Sequence, residues 1–306
     1  MERRGQLIHS RRLKGLPIPP IGNVKPYLLV TKPATVALLV FTGVVGFAMA
    51  SQGAFPTTTF LLLLLALTLG CAGANTLTCY VDRDIDAVME RTKHRPIPSA
   101  QISPRKALTL GSALVALAVG FSLCINPLTC AIGILGIINN VVVYSLWAKR
   151  RTPLNIFVGS LAGGLPVIGG YAAYANGIDL RSLFLGAIVM AWIPVHVWSI
   201  ALKYREDYLN ARVPMLPAVV KKEKAVQLIA LMSGLLVVLS LVPAGIGLFG
   251  STYLYSAVVL GVSLFCLSLW LMFKPAEKRA WLVFKVSSLY LGLLFLSVLV
   301  DSLFSA

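Results

Sequence analysis

Nine apolar runs separated by short polar breaks constrain the fold of this chain more than any other feature. A helix needs about 20 apolar residues to cross a bilayer, and each run is long enough. The runs cover residues 27–50, 57–81, 106–125, 127–147, 153–175, 180–202, 225–249, 252–273 and 281–304. Hydrophobic residues make up 58% of the sequence, which excludes a water-soluble globular protein. The pattern predicts an all-α polytopic membrane protein with nine transmembrane helices in one bundle.

Lys and Arg are concentrated on one side of these predicted spans. Of the 27 Lys and Arg residues, all but three fall in the N-terminal segment or in loops that follow even-numbered spans. The positive-inside rule then places the N-terminus in the cytoplasm and the C-terminus outside the cell membrane. The same rule accounts for the net charge of +16 without a nucleic-acid partner. We expect residues 1–26 to form a basic cytoplasmic segment and residues 27–306 to form one membrane domain.

The loop after the second span concentrates acidic residues. The chain has 11 Asp and Glu residues, and four of them lie close together: Asp82, Asp84, Asp86 and Glu90. On a continuing helix, Asp82 and Asp86 point one way and Asp84 points away from both. Two carboxylates held together need a counter-charge, and a hard divalent cation such as Mg²⁺ is the usual one. This spacing predicts a metal site at Asp82 and Asp86, with Asp84 solvated or paired with a loop cation.

Cations follow directly after these acids. Arg91, Lys93 and Arg95 alternate along the chain, and Pro96 and Pro98 favour an extended backbone. In an extended segment, alternate side chains lie on one face, so we expect the three cations to point together. Carboxylates for a metal beside cations for phosphates predict capture of a diphosphate–metal complex at the membrane surface. The alternative is a solvated, charge-balanced loop between two membrane helices.

A second charged loop follows the sixth span. It contains Lys203, Arg205, Glu206 and Asp207. On a helix, His196 shares a face with Lys203 and Asp207, about two turns inside the membrane. An ionisable side chain is costly at that depth, which makes His196 a candidate for a functional role. The alternative is a neutral histidine that hydrogen-bonds between two helices.

Three long segments carry a resemblance to a known family. They are DRDID at 82–86 with MERTKHRPIPS at 89–99, YSLWAKRRTPLNIFVGSLAGGLPVIGGYAA at 144–173, and KYREDYLNARVPMLP at 203–217. Together they resemble the UbiA superfamily of intramembrane prenyltransferases, and within it the branch that farnesylates haem. The order and spacing extend from about residue 26 to the end of the sequence. Motifs of this length are far more specific than a lone short pattern.

The resemblance implies a nine-helix bundle whose site opens to the cytoplasm, with Mg²⁺ between an isoprenoid diphosphate and both charged loops. Asp82, Asp86 and Asp207 would be metal ligands and catalytic residues. Whether Glu206 rather than Asp207 contacts the metal stays open. The cations implied around the diphosphate are Arg91, Lys93, Arg95, Lys203, Arg205, Lys149 and Arg151, with Lys203 also catalytic.

The implied substrates are farnesyl diphosphate and haem b, with haem A synthase or a terminal oxidase as further partners. His196, Asn75, Thr78 and Tyr144 are the candidates for the haem or the pocket. Thr78 departs from the superfamily, which usually has Asn there, and Asn75 one turn earlier is the candidate replacement. Tyr144 offers an aromatic face for an allylic cation.

Two other readings of the sequence stay open. A UbiA-type enzyme with another acceptor, such as a quinone precursor, a chlorin or a glycerol phosphate, would share the acidic loops. A transporter would also suit nine spans with polar residues at membrane depth. Co-purification of haem b would distinguish a haem prenyltransferase from an enzyme with another acceptor. Release of pyrophosphate would distinguish an enzyme from a transporter. A purely structural role gives no reason for two charged loops on one side.

Overall fold

The computed structural model describes residues 24–304, and this range contains helices and turns but no β-strand. Nine of its helices are long and apolar enough to cross a membrane, so the predicted all-α fold and its nine spans are confirmed. The helices are α1 (Lys25–Val30), α2 (Pro33–Ser51), α3 (Thr57–Val81), α4 (Arg83–Val88), α5 (Pro104–Leu123), α6 (Pro127–Ile138, continued by a π-helix over Asn139–Trp147 and a 3₁₀ turn over Ala148–Arg150), α7 (Asn155–Ala175), α8 (Leu180–Lys203), α9 (Arg205–Asn210), α10 (Leu216–Val219), α11 (Lys222–Gly245), α12 (Ser251–Phe273) and α13 (Glu277–Phe304).

The first predicted span, 27–50, is broken near its start. Helix α1 ends at Val30, Lys32 takes a left-handed conformation with φ of 57°, and α2 begins at Pro33. The residue before a proline is disfavoured in the α region, so one helix does not run through this point. The predicted N-terminal segment, 1–26, falls almost entirely outside the described residues.

Polar caps set where several spans begin. Ser103 caps α5, and Asn126 accepts the backbone N–H of Thr129 at 2.8 Å to cap α6. Both helices carry proline at the first position, where the missing N–H costs no helical hydrogen bond. Asp179 and Ser182 form a reciprocal capping box at the start of α8. These capping residues determine where each of the three helices begins.

Helix α7 lies at the centre of the bundle and packs against α2, α6 and α8. A Cβ at Gly170 would lie 1.9 Å from the carbonyl oxygen of Gly43 in α2. A Cβ at Gly164 would lie 2.7 Å from the carbonyl oxygen of Gly186 in α8. Small residues therefore allow these three backbones to touch, as is typical of membrane helices. The two charged loops follow α3 and α8, which are the second and the sixth spans. Both loops therefore emerge at the same end of this core.

The loop after α4 differs from the predicted extended segment. Residues 89–99 form successive turns, in which the N–H of Arg95 donates to Thr92 and that of Ser99 donates to Arg95. The prediction that Arg91, Lys93 and Arg95 share one extended face was therefore wrong. Backbone groups beside a buried core need partners, and the turns supply them within the loop. Proline fixes only φ, near −65°, which turns accommodate.

Candidate active site

Asp82 and Asp86 stand at the end of the second span. The helix bends at Asp82, where ψ is 6°, but the N–H of Asp86 still donates to the Asp82 carbonyl at 2.8 Å. This bond keeps the helical spacing between the two residues. Both side chains are buried, whereas Asp84 between them is exposed. The two carboxylates therefore face the protein together.

Each carboxylate of this loop pairs with a cation. Lys149 Nζ lies 2.6 Å from Asp82 Oδ2. Arg95 donates to both oxygens of Asp86, at 2.9 and 2.8 Å. Burial lowers the pKa of Arg95, but the charge and hydrogen bonds of Asp86 outweigh that effect and raise it. The structure thus pairs Asp82 and Asp86, the predicted metal ligands, with two of the predicted diphosphate-binding cations.

Asp84 pairs away from the buried acids. Arg150 donates to both oxygens of Asp84 at 2.7 Å, and this hydrogen bonding lowers the pKa of Asp84 to about 2. The two side chains are 34% and 62% exposed, so the pair lies at the surface. Asp84 is a partner for a loop cation, one of the two roles expected from its helical position.

Asp207 joins the two charged loops. Its Oδ1 accepts the backbone N–H of Glu90 at 3.2 Å, and its Oδ2 accepts that of Arg91 at 3.1 Å. Asp207 is buried, whereas the neighbouring Glu206 is exposed. A carboxylate has about four lone-pair sites, so these two bonds leave Asp207 with capacity for a further ligand. Asp207 therefore forms one site with two residues that precede it by 117 and 116 positions.

Two buried polar atoms in this site lack hydrogen-bond partners. Within residues 24–304, Asp82 Oδ1 and Arg91 Nε are enclosed and unpaired. Leaving such an atom unsatisfied costs about 1–3 kcal/mol, and more for a charged group. The carboxylate oxygen can accept a cation or a donor, and the guanidinium nitrogen can donate to an anion. The pair indicates a site for a ligand of mixed charge.

The other predicted cations have different surroundings. Lys93 pairs with Glu90 at 2.5 Å, and Arg151 is exposed. Arg205 donates to the backbone carbonyl oxygens of Ala218 and Val220, which tethers the loop after α9. Lys203 lies over aromatic rings instead of beside an acid, 3.9 Å from the Trp281 centroid and 5.0 Å from that of Tyr204.

Tyr144 and Lys149 lie at the irregular end of α6. Lys149 pairs with Asp82, and the Tyr144 ring packs against Gly159 of α7. The π-helix around Tyr144 is tied to α7 by Asn139, which donates to the Val158 carbonyl and accepts the N–H of Ala162. A π-helix turns more widely than an α-helix and is frequent at functional sites. The sequence carried no signal for it.

Asn75 and Thr78 are tied to the break between α1 and α2. Asn75 Nδ2 donates to the Thr31 carbonyl at 3.1 Å, and Lys32 Nζ donates to Thr78 Oγ1 at 3.3 Å. Asn75 also lines an apolar pocket among α2, α3, α5, α6 and α7 that is open on one side. Its walls include Leu39, Leu67, Cys71, Asn140 and Leu165. Asn75 therefore stands between this cavity and the acidic end of α3.

His196 lies between two aromatic rings at membrane depth. Its ring centroid is 4.4 Å from that of Trp192 and 4.3 Å from that of Phe284. His196 Nδ1 is 2.9 Å from Ser287 Oγ, and that hydroxyl donates its proton to the Phe284 carbonyl. The hydrogen bond expected between two helices is therefore present, and it joins α8 to α13.

Solved structures of other membrane proteins share this fold. A solved structure of digeranylgeranylglyceryl phosphate synthase matches with a TM-score of 0.76 and 21% identity, covering 91% of this chain and 98% of that one. A UbiA homolog from Archaeoglobus fulgidus, bound to GPP and Mg²⁺, matches with a TM-score of 0.61 and 18% identity, covering 89% and 99%. At these identities the likeness establishes the fold.

The chain belongs to the UbiA prenyltransferase family, which matches residues 39–297, and it is a membrane prenyltransferase. A relative from Desulforudis audaxviator is 42% identical over 282 residues, which make up 91% of this chain and 89% of the relative. That relative is named protoheme IX farnesyltransferase. The family predicted from the three sequence segments is therefore confirmed.

Proposed function

We propose that this enzyme transfers the farnesyl group of farnesyl diphosphate to the 2-vinyl group of haem b. Similarity to the farnesyltransferase from D. audaxviator, 42% over nearly the whole length of both chains, supports the two substrates. The observation that carries the diphosphate half of the proposal is that Asp82 Oδ1 and Arg91 Nε, from the same charged loop, are both buried and unpaired. A metal–diphosphate complex supplies a cation for the first and anionic oxygens for the second.

The residues of the site fit Mg²⁺ as the metal. Magnesium is usually held by one or two carboxylates together with substrate phosphates and water, not by an all-protein cage. Asp82, Asp86 and Asp207 are the proposed ligands, and Glu206 is set aside because it is exposed. Within residues 24–304 no group of three His, Cys, Asp or Glu side chains is arranged to hold a metal, so this proposal requires the diphosphate and water to complete the coordination. Bound there, Mg²⁺ would neutralise charge that develops on the leaving diphosphate.

The chain's own cations hold the diphosphate in this proposal. Arg91 offers its unpaired Nε, and Lys149 can turn from Asp82 to a phosphate oxygen as the carboxylate accepts the metal. Lys93 approaches from the same loop, and Arg95 keeps Asp86 oriented. Fixed charges aimed at a leaving group stabilise it without reorganisation during the reaction. Arg205 acts indirectly, by tethering the loop after Asp207.

The remaining steps assign the organic groups. The farnesyl tail occupies the apolar cavity beyond Asn75, and the Tyr144 ring faces the allylic carbon. The bond from that carbon to the diphosphate breaks, the vinyl group attacks the carbon, and pyrophosphate leaves. Water adds to the new cation and loses a proton, which gives a hydroxyethylfarnesyl haem. His196, which is hydrogen-bonded to Ser287 between α8 and α13, lies on the haem side in this proposal.

The site opens to the cytoplasm in this proposal, because the loops after α3 and α8 carry the excess of Lys and Arg. The enzyme would then reside in the cell membrane with its N-terminus inside and its C-terminus outside. A haem A synthase or a terminal oxidase would receive the product.

An acceptor comparison tests this function. Purified enzyme with farnesyl diphosphate and Mg²⁺ is mixed with haem b, a quinone precursor or a chlorin, and pyrophosphate is measured. We expect release to depend on haem b and to disappear in Asp82→Asn, which changes one carboxylate to its neutral isostere. Release that depends on another acceptor instead would overturn the haem assignment.

A further inference from the structure

Two lysines on different helices share one indole ring. Lys203, at the end of α8, has its Nζ 3.9 Å from the Trp281 centroid, and Lys285 in α13 has its Nζ 5.6 Å from the same point. Among residues 24–304 neither ammonium group has a carboxylate within 4.0 Å, unlike Lys93 and Lys149. These residues, Lys203, Lys285 and Trp281, are called here the lysine–tryptophan cluster. None of the ion pairs among the described residues therefore involves this cluster.

Membrane placement alone does not explain this arrangement. Lys285 is exposed and lies eight residues into α13, about 12 Å along the helix axis from its start, so its side chain can snorkel toward that end of the helix. Lys203 is already the last residue of α8, so it needs no such path. Two like charges at one ring repel each other. An anionic ligand at the cluster would remove that repulsion.

Aromatic rings continue from the cluster into the membrane. Trp281 stacks on Phe284 at 4.9 Å, and Phe284 is followed by His196 at 4.3 Å and Trp192 at 4.4 Å. The rings lie along the contact between α8 and α13. Trp192 is buried, but Trp281, Phe284 and His196 are partly exposed. A ligand that suits these three rings is apolar and aromatic over most of its length and carries anionic groups at one edge. Two carboxylates would match the two ammonium groups.

We propose that Lys203 and Lys285, both beside Trp281, bind the two propionates of the haem acceptor. This inference rests on the proposed function, because it takes haem b as the acceptor. It moves Lys203 from the diphosphate, where the family resemblance placed it, to the carboxylate edge of the macrocycle. Ammonium–carboxylate bonds are charge-assisted and directional. Anchoring that edge determines which vinyl-bearing edge is presented to the allylic carbon.

Esterified haem tests the cluster without altering the protein. Haem b and its dimethyl ester have the same macrocycle, but the ester has no anionic carboxylates. Each is titrated into the purified full chain and followed by Soret absorbance. A hydrogen bond to a charged group is worth about tenfold in affinity, so we expect the wild type to prefer haem b by about a hundredfold.

Single substitutions then locate the effect. Lys285→Met and Lys203→Met should each weaken haem b binding by about tenfold and leave the affinity for the dimethyl ester unchanged. Lys203→Arg should restore most of the affinity, because it returns the charge. Lys278→Met removes an exposed lysine from the first turn of α13 and serves as the matched control with no change.

The outcomes separate this inference from the proposed function. A wild type that binds haem b and its dimethyl ester equally well overturns the cluster and leaves haem as the acceptor. Equal weakening of both ligands by Lys285→Met also overturns it, because the lysine then acts through packing. If the wild type binds neither ligand yet releases pyrophosphate with another acceptor, the proposed function and the cluster both fall.

Discussion

Removing Lys149 should destabilise the folded protein much more than removing the neighbouring Arg150. The Lys149 and Asp82 side chains are only 13% and 6% exposed, whereas those of Arg150 and Asp84 are 34% and 62% exposed. Breaking a buried pair by deleting one partner costs about 3–5 kcal/mol, because a buried charge is left alone. A surface pair is worth about 0–1 kcal/mol. We therefore expect roughly 3 kcal/mol for Lys149→Met and less than about 1 kcal/mol for Arg150→Met.

The assay is reversible unfolding of the purified protein in mixed micelles, with SDS as denaturant and free energies of unfolding compared at neutral pH. The double variant Lys149→Met with Asp82→Asn removes both charges and should recover most of the loss. Mg²⁺ with pyrophosphate should stabilise Lys149→Met, since the ligand returns a cation to Asp82. Equal costs for Lys149→Met and Arg150→Met would refute the reasoning.

Three further predictions concern packing, pH and the link between the loops. Gly170→Ala places a Cβ 1.9 Å from a backbone carbonyl of α2 and should lower the free energy of unfolding by about 1–3 kcal/mol, whereas Gly120→Ala, with open space around it, should be neutral or stabilising in the same SDS titration. The pKa of Asp84 is lowered from 3.8 to about 2, so its contribution to the free energy of unfolding is complete above about pH 4 and is lost as the pH falls toward 2. Between these pH values the free energy of unfolding of Asp84→Asn should change less steeply with pH than that of the wild type. Asp207→Asn replaces one of the two oxygens that accept from the loop amides with an NH₂ donor. Hydrogen exchange at Glu90 or Arg91 should become about tenfold faster, and unchanged exchange at both would contradict the assigned bonds.

The spans and the main acids were predictable because they depend on local sequence. A bilayer demands long apolar runs, and helical spacing separates Asp84 from Asp82 and Asp86. The break at Lys32 was also predictable from local sequence, since Pro33 follows it. The prediction missed it because the apolar run 27–50 was treated as one continuous helix.

Other features depend on contacts between distant parts of the chain. Lys149 lies 67 positions from the Asp82 that it contacts, and Lys203 meets Trp281 from another helix. The predicted extended loop failed because its backbone groups found partners within turns, which residue alternation does not encode. The π-helix that carries Tyr144 is held by Asn139 bonds to α7, so only the packed bundle reveals it.

The most direct test of the account is the product formed from haem b, farnesyl diphosphate and Mg²⁺, identified by mass spectrometry. The account predicts a haem that has gained one farnesyl group and one water, formed by the wild type and abolished by EDTA or by Asp82→Asn. Haem b recovered unchanged, while pyrophosphate is released with a different acceptor, would contradict it.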